Sequence, residues 1–194
     1  MKVIVIGATG TIGSAVAQAL AARHDVVGVS RRGPVRVDLD DAASIDALFA
    51  GLGQVDAVVC CAASGALTPL DTRRDEDYWR GLQGKLVGQV NLARRALAHV
   101  RGGGSVTITS GRFAEPIRGS SLGHLVNAGL EAFVRAAAIE MPRDIRLNTV
   151  SPGWVRETLL ALGMDPAGGT PVADVARVYV EAVEGRAHGA TLLV

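Results

Sequence analysis

Residues 1–20 read MKVIVIGATGTIGSAVAQAL, and this stretch decides the fold. Its first six residues are an apolar run of strand length, and residues 7–13 then bring three glycines ahead of an alanine-rich segment that favours a helix. A glycine-rich turn between a strand and a helix is typical of doubly wound α/β proteins. The stretch therefore predicts a first strand, an anion-binding turn and a first helix.

The three glycines of this turn have separate tasks. Gly7 lets the chain leave the strand, Gly10 removes a side chain where backbone approaches a pyrophosphate, and Gly13 lets the helix and the sheet pack closely. Free N–H groups and a partial positive charge at the helix N-terminus favour the phosphates. A purely structural turn is the alternative, and the position directly after a strand favours a dinucleotide site over it.

The rest of the chain alternates β-branched runs with alanine- and leucine-rich segments, the pattern of βαβ units in a parallel sheet. Seven strands are predicted, at residues 2–6, 25–29, 35–37, 57–61, 105–109, 146–150 and 190–194. Five helical segments lie between them, at residues 11–23, 42–52, 75–99, 121–141 and 172–184. Asp41 is placed to cap the second helix, residues 102–104 separate the third from its strand, and Pro142 closes the fourth. We expect one domain over residues 1–194, a doubly wound parallel sheet (Rossmann fold) with helices on both faces.

Composition narrows the choice of partner and compartment. Hydrophobic residues make up 48% of the 194, charged residues 20%, and the net charge is +1. So small a charge gives no electrostatic reason to expect nucleic acid or an anionic membrane as partner. The two cysteines, Cys60 and Cys61, are neighbours that a strand points to opposite faces, which disfavours a disulfide between them. We expect a soluble cytoplasmic protein, without a membrane span or a metal site.

The end of the second strand decides which dinucleotide is expected. An NAD site usually has an acid here, whereas an NADP site needs cations for the additional phosphate. The sequence offers Ser30, Arg31 and Arg32, a hydroxyl and two guanidinium groups suited to a phosphate. Two solvated surface arginines are the alternative. Asp38 either accepts a hydrogen bond from the adenine amine or caps the next helix. NADP(H) is therefore preferred, with NAD(H) as the other choice.

Two further segments make the chain resemble the short-chain dehydrogenase/reductase family along nearly its whole length. Residues 60–63 read CCAA where that family usually has Asn-Asn-Ala-Gly, and residues 145–153 read IRLNTVSPG, close to the segment that lies beside the nicotinamide. The resemblance implies hydride transfer between a nicotinamide and a carbonyl or alcohol. The expected cofactor-binding residues are Gly7, Thr9, Gly10, Thr11, Ile12, Gly13, Ser30, Arg31, Arg32, Asp38, Leu39, Cys61, Ala62, Ala63, Pro152, Gly153 and Val155.

The chain departs from the family at the catalytic pair, a tyrosine proton donor and a lysine four residues later. Counting back from residues 138–140 puts Gly123 at the tyrosine position and Asn127 at the lysine position. The only tyrosines, Tyr78 and Tyr179, lack a lysine four residues on. The standard pair is absent.

Other residues are candidates for the missing chemistry. Ser110 ends the fifth strand near the family's carbonyl-polarising serine, although Gly111 could hold that slot. Lys85 stands where the family usually has an asparagine, and we expect its ammonium to enter the vacancy left by Asn127 at the lysine position and to contact the nicotinamide ribose or a substrate oxygen; a solvated helix lysine is the alternative. His124 adjoins the tyrosine position, but one residue on a helix turns a side chain by about 100°. The predicted catalytic residues are Ser110, Lys85 and Asn127.

The segment over the substrate is shorter than the resemblance would imply. Because residues 154–171 are so few, the substrate site is expected to be shallow, open or completed by another subunit, and Trp154 either walls it or packs against the sheet edge. The apolar helix at residues 121–141 implies, by resemblance, a homodimer or homotetramer. Two functions remain: an NADP(H)-dependent oxidoreductase acting on a small carbonyl or alcohol through a non-standard site, or a catalytically inactive NADP(H) sensor.

Overall fold

Seven parallel strands form the sheet of the computed structural model, which describes residues 1–62 and 67–194 apart from the side chain of Arg80. The strands are β1 (Lys2–Ile6), β2 (Asp25–Ser30), β3 (Val35–Arg36), β4 (Val55–Cys60), β5 (Val100–Thr109), β6 (Arg146–Ser151) and β7 (Thr191–Leu193). Their order is β3-β2-β1-β4-β5-β6-β7, and every neighbouring pair is parallel. The predicted Rossmann fold is confirmed.

Helices cover both faces of this sheet. They are α1 (Thr11–Ala21), α2 (Ala42–Leu52), α3 (Asp75–Gly81), α4 (Gln89–Ala96), α5 (Ser121–Ala137), α6 (Arg156–Ala161) and α7 (Val172–Glu184). Alternate residues of β1 divide the core: Ile4 belongs to a cluster with α2, α4 and α5, and Val5 to a cluster with α1 and α7. Within the described residues, none of the helices is both long and apolar enough to span a bilayer.

Apart from shifts of one to four residues at the ends of several elements, the structure differs from the sequence prediction in three places. The predicted helix at 75–99 is interrupted by a π-helix at Leu82–Gly88, which carries Lys85. Residues 102–104 lie inside β5 rather than before it, because the strand begins at Val100 and shifts its register against β4. Helix α6 was not predicted, since six residues are too few to establish a helical period. The Asp41 cap is confirmed, with its carboxylate accepting from the Ala43 N–H at 2.9 Å.

From β1 the sheet grows first outward to β2 and β3, and then on the other side of β1 with β4 to β7. The strand order therefore reverses between β1 and β4, and this reversal determines where a ligand site is expected. Ligands of open α/β sheets bind outside the carboxyl ends of the strands at such a switch point. The glycine turn after β1 therefore lies beside the ends of β4 and β5, with the Cys61 N–H donating to the Ile6 carbonyl at 2.8 Å.

A buried glutamine joins the helical layer to β5 at this edge. Gln89 is fully buried; its amide donates to the Lys85 carbonyl at 2.7 Å and to the Thr109 carbonyl at 2.9 Å, while its oxygen accepts from the Thr109 N–H at 2.8 Å. The side chain thus bonds to both backbone groups of Thr109 beyond the last pair of β4 with β5, which is Val59 with Thr107.

Gln89→Leu is expected to lower the free energy of unfolding by about 3 kcal/mol, because it removes the partner that the Thr109 N–H and carbonyl have in Gln89. Urea unfolding measures the difference. Gln83→Leu, on the exposed side of the π-helix, is the matched control and should stay within about 0.5 kcal/mol of the wild type. Equal midpoints for the two variants would contradict this role.

Candidate active site

The glycine turn has the geometry that its sequence predicts. Gly7 has φ +84°, and a Cβ there would lie 2.7 Å from the Ala62 nitrogen. A Cβ at Gly13 would collide with the Gly7 carbonyl oxygen. A Cβ at Gly10, by contrast, would meet only the Gly7 oxygen, at an ordinary 3.4 Å. The packing of the chain therefore requires Gly7 and Gly13, whereas the space over Gly10 is open.

The N-terminus of α1 opens onto the same space. Gly10 is its N-cap, and among the described residues no side chain caps it and no acid lies in its first turn. The predicted residues Thr9 and Thr11 are exposed here, and Ile12 faces the neighbouring cavity. The first-turn N–H groups and the positive end of the helix dipole are thus directed at solvent, where they suit an anion.

The end of β2 places a buried hydroxyl beside two exposed guanidinium groups. Ser30 is 7% exposed, and its Oγ has no hydrogen-bond partner among the described residues. Arg31 and Arg32 follow it on the surface. A Cβ at Gly33 would lie 2.7 Å from the Ser30 Oγ, so the loop folds closely over this hydroxyl.

Asp38 and Leu39 lie beyond β3. The Asp38 carboxylate accepts from the Asp40 N–H at 3.1 Å, and since Asp41 caps α2, the capping alternative for Asp38 is wrong. Leu39 is buried, and a Cβ at Gly88 would collide with its carbonyl oxygen, which places it against the start of α4.

A cavity of about 660 Å³ lies at the carboxyl ends of the strands and gathers many of the predicted residues. Those among its lining are Ile12, Cys61, Lys85, Ser110, Asn127, Pro152, Gly153 and Val155. Ala62 lies behind Gly7, while Ser30, Arg31, Arg32, Asp38 and Leu39 lie outside this lining. Ala63 falls outside the described residues.

Lys85 and Asn127 meet in the wall of this cavity. The Lys85 Nζ donates to the Asn127 Oδ1 at 2.7 Å. An ammonium only donates, so the amide oxygen must face it and the amide nitrogen points elsewhere. Burial lowers the pKa of Lys85 to about 8. The lysine therefore changes charge close to neutral pH.

Ser110 lies in the cavity lining, but its hydroxyl donates its hydrogen bond to a carboxylate. Its Oγ donates to the Glu131 Oε1 at 2.9 Å, and the Ser151 Oγ donates to the same oxygen at 3.0 Å. The sequence prediction gave Ser110 the task of polarising a carbonyl, which requires a donor directed into the cavity. In this arrangement the hydroxyl hydrogen is directed at Glu131. Glu131 was missed, although its place one turn after Asn127 on the same face of α5 was a signal.

An aromatic ring fills the space beside the tyrosine position. A Cβ at Gly123 would lie 3.0 and 3.2 Å from two ring carbons of Phe113. The Phe113 ring also contacts the ring of His124, with centroids 5.0 Å apart. His124 is exposed and outside the cavity lining, in agreement with the expected rotation. Phe113 comes from the segment between β5 and α5, and no sequence pattern pointed to it.

Neither tyrosine takes over as proton donor. Tyr179 is fully buried on α7, with its hydroxyl 2.6 Å from the Thr109 Oγ1, and burial raises its pKa well above the ordinary value. Tyr78 packs edge-on against Trp79, outside the cavity lining. Burial likewise raises the pKa of the Cys61 thiol, so this cavity residue stays protonated.

A parallel sheet with a glycine-rich turn at its switch point defines the class of Rossmann-type nucleotide-binding folds. A family model described as enoyl-(acyl carrier protein) reductase matches residues 2–168. The chain belongs to the short-chain dehydrogenase/reductase family.

Curated relatives agree with this assignment. One is the (5R,7aS)-5-hydroxy-7a-methyl-1-oxo-2,3,5,6,7,7a-hexahydro-1H-indene-carboxyl-CoA reductase of Mycobacterium tuberculosis, 31% identical over 188 residues, 81% of this chain and 72% of that protein. A hydroxynaphthalene reductase-like protein of Metarhizium guizhouense is 27% identical over 134 residues and is matched over 50% of its length.

Solved structures share the fold. The protein lin1944 from Listeria innocua has a TM-score of 0.94 and 35% identity, with 100% of this chain and 99% of that chain covered. A small-chain dehydrogenase solved in complex with NADPH has a TM-score of 0.86 and 24% identity, with 100% and 96% covered. The second likeness shows the fold alone.

Proposed function

We propose that this protein is an NADP(H)-dependent oxidoreductase that reduces a carbonyl or oxidises an alcohol, with Lys85 as its acid and base. One observation carries the proposal: the Lys85 ammonium lies in the cavity wall, 2.7 Å from Asn127. The family assignment and the reductase names of the relatives support the reaction class.

The residues present fit the cofactor. The open space over Gly10 admits the pyrophosphate of the cofactor, and the backbone N–H groups in the first turn of α1 would bind it. The guanidinium groups of Arg31 and Arg32 suit the additional phosphate of NADP(H), and beside them lies the buried Ser30 hydroxyl, which has no partner in the described part of the chain. Asp38 has a second carboxylate oxygen for the adenine amine.

A carbonyl oxygen would bind between Lys85 and Asn127. Both side chains converge on Gly111, where a Cβ would lie 3.6 Å from the Lys85 Nζ and 3.4 Å from the Asn127 Nδ2. Because Gly111 has no side chain, it leaves both groups uncovered on this side of the cavity that they line. A substrate oxygen within about 3 Å of both nitrogens would accept a hydrogen bond from each.

A nicotinamide held beside this cavity would supply the hydride for the carbonyl carbon in reduction and would take it up in oxidation. Lys85 gives its proton to the carbonyl oxygen, which becomes the alcohol hydroxyl, and the neutral amine then takes a proton from water. In the oxidation direction the neutral amine accepts the hydroxyl proton. Asn127 holds the Nζ in position through its Oδ1 and offers its Nδ2 to the oxygen. A pKa of about 8 leaves both lysine forms populated near neutral pH.

One observation favours a second function, an inactive NADP(H)-binding sensor. The Phe113 ring lies against the position of the usual proton donor and carries no acid. A protein that only binds cofactor has no need of that donor.

The deciding experiment incubates purified protein with NADPH and a panel of aldehydes, ketones and quinones, and measures NADPH consumed against alcohol or hydroquinone formed. Equal amounts of both support the oxidoreductase. Saturable NADPH binding without turnover on the whole panel favours the sensor.

Replacing both arginines, Arg31→Ala with Arg32→Ala, is expected to raise the Kd for NADPH by roughly 10- to 100-fold, since hydrogen bonds to a charged phosphate contribute about 1.5–3 kcal/mol. The Kd for NADH, which lacks that phosphate, should stay within twofold. Calorimetric titration measures both. Arg23→Ala, which removes an exposed guanidinium that pairs with Glu184, is the control. Parallel losses for NADPH and NADH would contradict the assignment.

We further propose that the protein acts in the cytoplasm as a single-domain homodimer or homotetramer. The two free cysteines fit a reducing compartment. Exposed apolar side chains at Leu125 on α5 and at Ile139 just beyond it offer a surface for association.

A further inference from the structure

The lining of the cavity contains a corner made of two aromatic rings. The Phe113 and Trp154 rings meet edge to face, with centroids 6.3 Å apart and planes at 77°. Phe113 comes from the segment after β5 and Trp154 from the segment after β6. Both rings line the cavity, and we call this pair the aromatic corner.

Helix α5 supports one ring of the aromatic corner. The Phe113 ring lies against the backbone of α5 at Gly123, where any larger residue would displace it. Leu122 and Val126, both nearly fully buried, extend the apolar surface along the same helix. The corner and this helix face therefore form a joint apolar part of the cavity lining.

The polar groups that bind the carbonyl lie one helical turn away. Gly123, on which the Phe113 ring packs, precedes Asn127 by four residues, or about 6 Å along the α5 axis. A substrate whose oxygen accepts from Lys85 and Asn127 can therefore extend its carbon skeleton toward Leu122, Val126 and the aromatic corner, which line the same cavity. A site with an apolar wall and a few convergent polar groups binds an apolar body with one polar end.

We propose that the aromatic corner selects a ketone carried on an apolar ring system. The inference rests on the proposed function, because it uses Lys85 and Asn127 as the oxygen site. Ring substrates pack against aromatic side chains in offset or edge-to-face geometry, which a flexible charged chain cannot match. Phe113 and Trp154 are accordingly the specificity-determining residues.

The test uses 2-tetralone, a fused-ring ketone, and acetoacetate, a linear charged ketone, as probes. Trp79→Phe leaves Trp154 as the only tryptophan, since the sequence contains two. Binding of 2-tetralone is then followed by quenching of Trp154 fluorescence, with and without NADP⁺, and turnover of both probes is measured with NADPH. The comparison variants are Phe113→Ala, Phe113→Leu and, as control, Leu160→Ala, which alters an exposed side chain of α6.

We expect saturable 2-tetralone binding that Phe113→Ala weakens by roughly tenfold or more, that Phe113→Leu weakens less and that Leu160→Ala leaves unchanged. We also expect a higher kcat/KM for 2-tetralone than for acetoacetate. Circular dichroism of each variant shows that a loss is not unfolding. Binding with this variant pattern but without turnover supports the aromatic corner and favours the sensor over the oxidoreductase. Turnover of acetoacetate without 2-tetralone binding overturns the aromatic corner and leaves the oxidoreductase standing.

Discussion

Lys85→Met is expected to lower kcat for ketone reduction by at least roughly 100-fold, the usual contribution of a positioned acid or base. Methionine keeps most of the volume of the lysine but carries no proton to donate. The Kd for NADPH should change little, because the glycine turn and the arginines that we assign to the phosphates lie apart from Lys85. Steady-state kinetics and calorimetric titration measure the two quantities.

Gln83→Met is the matched control for this variant. It introduces the same side chain two residues earlier on the π-helix, at an exposed position outside the cavity lining. Wild-type kcat is expected for it. If Lys85→Met keeps wild-type kcat, Lys85 is not the proton donor, whatever its place in the cavity.

Gly10→Val is expected to abolish NADPH binding while the protein stays folded. The space over Gly10 is open in the structure, so a branched side chain fits the chain itself. The same side chain would occupy the volume that we assign to the pyrophosphate. The predicted loss is at least roughly 100-fold in Kd, since the phosphate contacts supply several charge-assisted hydrogen bonds.

Gly13→Ala provides the contrast, because even a methyl group there would collide with the Gly7 carbonyl oxygen. This variant should be destabilised by several kcal/mol or fail to fold, as overpacking against backbone cannot relax. Thermal unfolding of both variants distinguishes them. A Gly10→Val protein that binds NADPH as the wild type does would refute the assigned position of the cofactor.

The sequence was sufficient for most of the fold because local patterns determine it. The bounds of β1, α2 and α7 agree with their predicted ranges, since each has a clear period and a glycine, proline or aspartate at a boundary. The long helical pattern before β5 gave no sign of its π-helical interruption. Within the π-helix the Lys85 carbonyl accepts a hydrogen bond from the Gln89 side chain. Such a contact does not alter the spacing of apolar residues, so the sequence pattern does not reveal it.

The site was predictable only in part. The absence of the family's tyrosine and lysine was predictable, because counting along the helix puts Gly123 and Asn127 at their positions. Lys85 was predictable as their neighbour from its position in the preceding helical segment. Phe113 was not, because it reaches Gly123 from a loop, where no period says which way a side chain points. The hydrogen bond from Ser110 to Glu131 could not be predicted either, because the two residues are 21 positions apart and only the folded chain brings them together.

The pH dependence of NADPH-dependent ketone reduction tests the central claim most directly. Reduction needs the protonated lysine, so kcat for the wild type should fall as the pH rises through about 8, and alcohol oxidation should rise through the same pH. The residual rate of Lys85→Met should lack this step in both directions. A wild-type profile that is flat across pH 8, or the same step in Lys85→Met, would contradict the assignment of Lys85 as acid and base.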